Sequence, residues 1–133
     1  MKNQNLASGI PIPVKIFTWM LIVAGSFFFY VYTFNPSLSF PSATLDTYSA
    51  KMGFASTGVR ILGSVLALLI SVLANNPRWL FITLISRVFI ELGDVVVGLL
   101  LDGVTANTFA LCVLAVAEIW AVLKLWHVIN TNP

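Results

Sequence analysis

The sequence predicts an all-α membrane protein, a four-transmembrane-helix antiparallel bundle with both termini cytoplasmic. Apolar residues make up 59% of the chain and charged residues 9%, against roughly 45–50% and 25% in an ordinary soluble domain. Five acidic and seven basic residues cannot clothe a core of this size in water, so lipid has to cover the remaining apolar surface. The apolar residues also gather into four stretches separated by turn formers, and each stretch is about as long as a hydrocarbon core of about 30 Å is thick at 1.5 Å per helical residue.

The first stretch covers residues 16–34. It follows Lys2 and Lys15, is long for the apolar region of a signal peptide, and no small-x-small cleavage site closes it, so it reads as a retained helix. The second covers residues 54–74 and ends at Asn75-Asn76-Pro77, two turn formers and a proline that force a tight reversal. The third, residues 79–101, stops at Asp102-Gly103, and the fourth covers residues 108–126. Together they make a single transmembrane domain over residues 1–133. The one long connection, residues 35–53, carries Pro36, Pro41, Asp46 and Lys51 among hydroxyl side chains. Its apolar members, such as Leu38, Phe40, Leu45, Tyr48 and Met52, suit a loop lying on the membrane surface; a lid over a site between the helices is the other reading.

Four spans bring both termini and the Asn75 turn to one side. That side collects Lys2, Lys15, Arg78, Lys124 and His127, whereas the other holds Lys51 with Asp46 and Asp102. An excess of lysine and arginine marks the cytoplasmic face. Trp19, Trp79 and Trp126 fit an aromatic belt there, and Trp120 lies too deep for one. The net charge of +2 is spread along the chain, which argues against nucleic-acid binding. The single Cys112 excludes an internal disulfide and any cysteine-based zinc or iron–sulfur site, and reads as a packing residue. No metal site and no cofactor is expected. His127 sits at a helix end, far from the other ionisable groups of the spans.

Those groups are the informative ones. Arg60, Arg87, Glu91, Asp94 and Glu118 all fall inside apolar stretches, where an ionisable side chain is costly and turns to a partner in the bundle interior. Counted from the outer end of each stretch, they lie about 10–20 Å in, so the second, third and fourth helices can share one polar layer. The spacing Arg87, Glu91, Asp94 is i, i+4, i+7, which puts three side chains on one helix face. Arg87 is expected to pair with Glu91, and Arg60 to reach Asp94 with a guanidinium fork suited to carboxylates. Glu118 is then the odd carboxylate, to be offset by a proton, hydroxyls, water or a bound cation. The layer reads either as a buried network that fixes helix register, as a site for a proton, an ion or the polar head of an apolar ligand, or as a set in which Glu118 faces a partner subunit. Ser26 and Tyr30 lie near enough in height to contribute hydroxyls, and Gly58, Gly63, Ser64, Gly93 and Gly98 suit close helix contacts.

Gly58-x-Arg60-x-x-Gly63 at the opening of the second helix, Arg87-x-x-x-Glu91-x-x-Asp94 on the third, and four spans filling nearly the whole chain resemble the small four-helix bacterial membrane proteins of the DoxX-like group. That resemblance implies the fold and a bacterial inner (plasma) membrane. The group includes members associated with quinone-linked thiosulfate oxidation and many with no assigned activity, and it implies no catalytic role for these residues.

Three functions compete. The first is an accessory or scaffolding subunit of a larger membrane complex, supported by the aromatic run Phe27-Phe28-Phe29-Tyr30 and the lack of a recognisable reaction motif. The second is a binding protein or enzyme for an apolar ligand such as a quinone, isoprenoid or lipid, held at the Arg60, Glu91, Asp94 and Glu118 layer. The third is a small oligomeric transporter. A non-enzymatic role is expected, with membrane lipid and a larger complex or a homo-oligomer as partners.

Overall fold

Local signals in the chain punctuate four helices. The computed structural model describes residues 9–38, 46–101 and 103–131; Lys2, Phe40, Pro41, Leu45 and Asp102 lie outside them. Helix α1 runs Ile12–Phe34. Pro13 sits in its first turn, where a missing N–H leaves no helical bond unmade. A 3-10 turn, Pro36–Leu38, follows. Helix α2 runs Tyr48–Leu73, capped by Thr47, whose hydroxyl accepts from the Ala50 N–H at 3.2 Å. Helix α3 runs Pro77–Leu101 and α4 runs Ala106–Thr131.

Helix α1 starts at Ile12 rather than at residue 16, and the two boundaries that depart furthest from the sequence expectation are the start of α2 and the end of α4. The surface loop expected over residues 35–53 gives up its last six residues to α2, because Thr47 supplies a cap and a helix tolerates Gly53 at a cost of about 1 kcal/mol. Helix α4 likewise continues past Trp126 to Thr131. In both places the helix outlasts the apolar run, since helical hydrogen bonding needs no apolar face once the chain leaves the hydrocarbon.

The turn between α2 and α3 is closed by its asparagines. Asn75 adopts a left-handed φ of 49°; its N–H bonds to the Val72 carbonyl and that of Asn76 to the Ser71 carbonyl, the double closure of a Schellman end. Asn76 then turns its side chain forward, its Oδ1 accepting from the N–H groups of Arg78 and Trp79 and so capping α3. Asn75 Oδ1 also accepts from the Ile10 N–H at 3.3 Å, tying the segment before α1 to this turn. Between α3 and α4, Gly103 takes φ 72°, and Thr105 and Thr108 cap each other's backbone N–H groups reciprocally.

Helix α1 packs along α2, and α3 along α4; α2 meets α3 less extensively, and α1 barely touches α4. Close approach within the first pair rests on Gly25, where a Cβ would stand 2.5 Å from a Val65 methyl, and on Gly58, where it would collide with the Thr33 hydroxyl. Gly98 does the same for the second pair, 2.6 Å from the Thr108 methyl. A Cβ at Gly63 or Gly93 would meet none of the described residues within 4 Å, so the expectation that they too mark helix contacts is corrected. The continuous core, including Val14, Leu21, Leu68, Leu80, Leu84 and Leu125, lies towards the termini and the α2–α3 turn. Buried Thr18 and Ser71 donate to the carbonyls of Val14 and Ala67 on their own helices, so neither hydroxyl is left unbonded.

The outer surface is apolar with helical period: Met20, Val23 and Phe27 on α1, Leu66, Ile70 and Leu73 on α2, and Phe109, Val113 and Val116 on α4 are all exposed. Helices α1, α2 and α4 are long and apolar enough to cross a membrane. Helix α3 is as long, with 25 residues, but any full span of it contains Arg87, Glu91 and Asp94. Cys112 lies exposed on α4, which corrects its expected role as a packing residue.

Candidate functional site

All five ionisable residues singled out in the sequence come together near mid-height of the bundle, in two clusters of unlike character. Arg60 and Glu118 each lie about 18 Å from the start of their helices, and Arg87 about 15 Å. The first cluster centres on Arg87. Its Nε donates to Glu118 Oε1 at 2.7 Å, its Nη2 to Glu91 Oε1 at 3.0 Å, and its Nη1 to Ser64 Oγ at 2.9 Å. One guanidinium thereby fastens α2, α3 and α4 together. Glu118 is fully buried and Arg87 is 13% exposed. The second Glu118 oxygen, Oε2, is buried with no hydrogen-bond partner among the described residues.

The second cluster is the pair Arg60–Asp94 between α2 and α3, closest at 3.3 Å, with side chains 51% and 42% exposed. Nη2 of Arg60 addresses both Asp94 oxygens at 3.3 and 3.4 Å. These are long for charge-assisted bonds.

Sequence reasoning pairs Arg87 with Glu91 and Arg60 with Asp94, and the structure makes both contacts. It leaves Glu118 apart, whereas here Glu118 is the nearest partner of Arg87. The signal was available, because a guanidinium has five N–H donors and can hold two carboxylates at once. Neither Ser26 nor Tyr30 contributes. Ser26 donates to its own Ile22 carbonyl, and Tyr30 points outward against Phe34. Tyr32, two residues on and so across the helix, stands within electrostatic reach of Arg60 and Asp94.

Between α2 and α3, where packing is thin, a cleft of about 340 Å³ is lined by Arg60, Gly63, Ser64, Thr83, Ser86 and Arg87 among others. Thr83 donates to the Trp79 carbonyl on its own helix. Among the described residues, Arg87 keeps two N–H donors beyond its three bonds, and the Nε and Nη1 donors of Arg60 serve no group. The cleft therefore presents donors on its polar wall, and Glu91, Asp94 and Glu118 are not among its lining residues. Among the described residues there is no group of three or more His, Cys, Asp or Glu side chains that could hold a metal ion. Comparison of the chain with protein-family models, with curated proteins and with solved structures finds no match to any of them.

Proposed function

We propose that this chain is an accessory or scaffolding subunit of a larger membrane assembly, crossing the bilayer four times with α3 as the fourth span. Both termini are placed in the cytoplasm and the membrane is a bacterial inner membrane, in keeping with the resemblance to the DoxX-like group. Lys15, Arg78, Lys124 and His127 at the end of the Asn75 turn, against Lys51 and Asp46 at the other, support the orientation. Satisfaction of the α3 charges by Arg87 and by Arg60 supports the fourth span, since ionisable groups in a span turn to partners inside the bundle.

The observation that carries the subunit reading is an aromatic ladder on the outward side of α1. Phe27 and Phe28 stand 5.8 Å apart, Tyr30 and Phe34 5.7 Å, and Phe29 and Phe34 6.1 Å. Phe27, Phe28, Tyr30 and Phe34 are all exposed. Large rigid rings add contact area at little entropic cost and concentrate at protein interfaces. A neighbouring transmembrane helix is the partner such a ladder suits.

A photo-reactive amino acid at position 28, activated in native membranes, tests this. The expected result is cross-linking to one different polypeptide, which also co-extracts at fixed stoichiometry in mild detergent. Adducts to lipid alone, or to a second copy of the chain alone, overturn the proposal.

A further inference from the structure

We propose that the α2–α3 cleft binds one neutral lipid amphiphile through a carbonyl or ester oxygen, with Arg60 and Arg87 as the donors. Half of the Arg60 side chain is exposed at the middle of a helix apolar enough to span a membrane, and its Nε and Nη1 donors face no protein acceptor among the described residues. In hydrocarbon an unbonded N–H costs several kcal/mol and a bare guanidinium more, so an acceptor has to come from the bilayer side. The volume available, about 340 Å³, is near the lower end of small-molecule sites and too small for a partner helix about 10 Å across.

Charge selects the class of acceptor. Two guanidiniums stand against three carboxylates, Glu91, Asp94 and Glu118, so the layer has no positive excess to hold an anion. A cation is equally disfavoured, because both arginines line the cleft and Glu91, Asp94 and Glu118 do not. What remains is a neutral acceptor, and a neutral head is also the kind that reaches mid-membrane at low desolvation cost. Ester carbonyls of a diacylglycerol have this chemistry. Their acyl chains would leave the cleft along the apolar faces around Ile82 and Ile90, which line it. This inference is independent of the subunit reading, since it concerns a different face of the molecule.

Gly63 supplies a way to close the cleft, because it lines the cleft and a Cβ placed there meets none of the described residues within 4 Å. The test reconstitutes the full chain in liposomes of neutral phospholipid with a trace of photoactivatable diacylglycerol. Labelling of residues lining the cleft is expected, falling about ten-fold in Gly63→Phe, the change that about 1.4 kcal/mol of lost affinity produces. Ala67→Phe, which fills the cleft from its other end, should match it, and Arg60→Met with Asp94→Leu should lose labelling while the helices persist. Excess unlabelled diacylglycerol should compete, and excess fatty-acid anion should not. Undiminished labelling in Gly63→Phe and Ala67→Phe, or equal competition by the anion, overturns the proposal.

Discussion

Arg60 and Arg87 project from adjoining helices into the same cleft, yet their surroundings differ. Arg87 spends three donors on three side chains from three helices, and its nearest carboxylate, that of Glu118, is entirely buried. Arg60 has one carboxylate, at longer range, with half its surface open. The difference follows from packing. Helices α3 and α4 pack extensively, so a glutamate on one is carried into the other's arginine; α2 and α3 meet more sparsely and leave a cleft between them. Two arginines that look alike in the sequence thus divide into a fastening inside the bundle and an open group at its edge.

The largest effect that would break this comparison comes from Arg87→Leu. Removing the guanidinium leaves the carboxylates of Glu91 and Glu118, 12% and 0% exposed, without their cation, and taking one partner from a buried pair typically costs about 3–5 kcal/mol. A loss of that size is expected in reversible unfolding of the detergent-solubilised chain. Arg87→Lys should recover only part of it, because an ammonium is a point charge and cannot reach Glu118, Glu91 and Ser64 in three fixed directions. If Arg87→Leu unfolds no more easily than the parent, the triad is not the fastening described.

A smaller effect separates the glycines. Gly58→Val places a side chain against the Thr33 hydroxyl, and Gly98→Val against the Thr108 methyl. Each should lose about 1–3 kcal/mol by overpacking. Gly63→Ala should change stability by no more than its helix propensity, about 1 kcal/mol and in the stabilising direction. The same unfolding measurement ranks all three, and equal losses at Gly58 and Gly63 would mean that α2 faces α1 with a different side.

The contrast between these glycines marks what was legible in the sequence. Helix number and type were legible because four apolar stretches of span length admit few alternatives, and the turn at Asn75-Asn76-Pro77 because each residue there has a local reason to end or start a helix. The partners of Arg87 and Arg60 on α3 were legible from i, i+4 spacing and from depth. Helix rotation was not. Depth says that Ser26, Tyr30, Tyr32 and Ser64 stand near the layer, but only the rotation of each helix selects Tyr32 over Tyr30 and brings Ser64 to Arg87. The rotation of α1 is set by Gly25 and Gly58 against Val65 and Thr33, contacts distant in sequence that no local pattern encodes. The start of α2 was missed for another reason. The apolar run marks where lipid begins, whereas the Thr47 cap marks where the helix begins.

The smallest effect on folding is expected from Arg60→Met combined with Asp94→Leu. Both charges leave together, so neither is stranded, and exchanging an ion pair for apolar groups of similar size is often neutral or favourable. In a setting half open to lipid the unfolding free energy should move by less than about 1 kcal/mol, whereas Arg60→Met alone should cost more, because it strands the Asp94 carboxylate. A double-mutant cycle over the four proteins reads the coupling directly. If the double variant loses as much stability as Arg87→Leu, the Arg60–Asp94 pair fastens α2 to α3 as firmly as the triad does, and the division between a structural arginine and an open one collapses. If the cycle instead shows small coupling, whatever keeps Arg60 half exposed among apolar helices acts through what it meets from the bilayer side rather than through the fold.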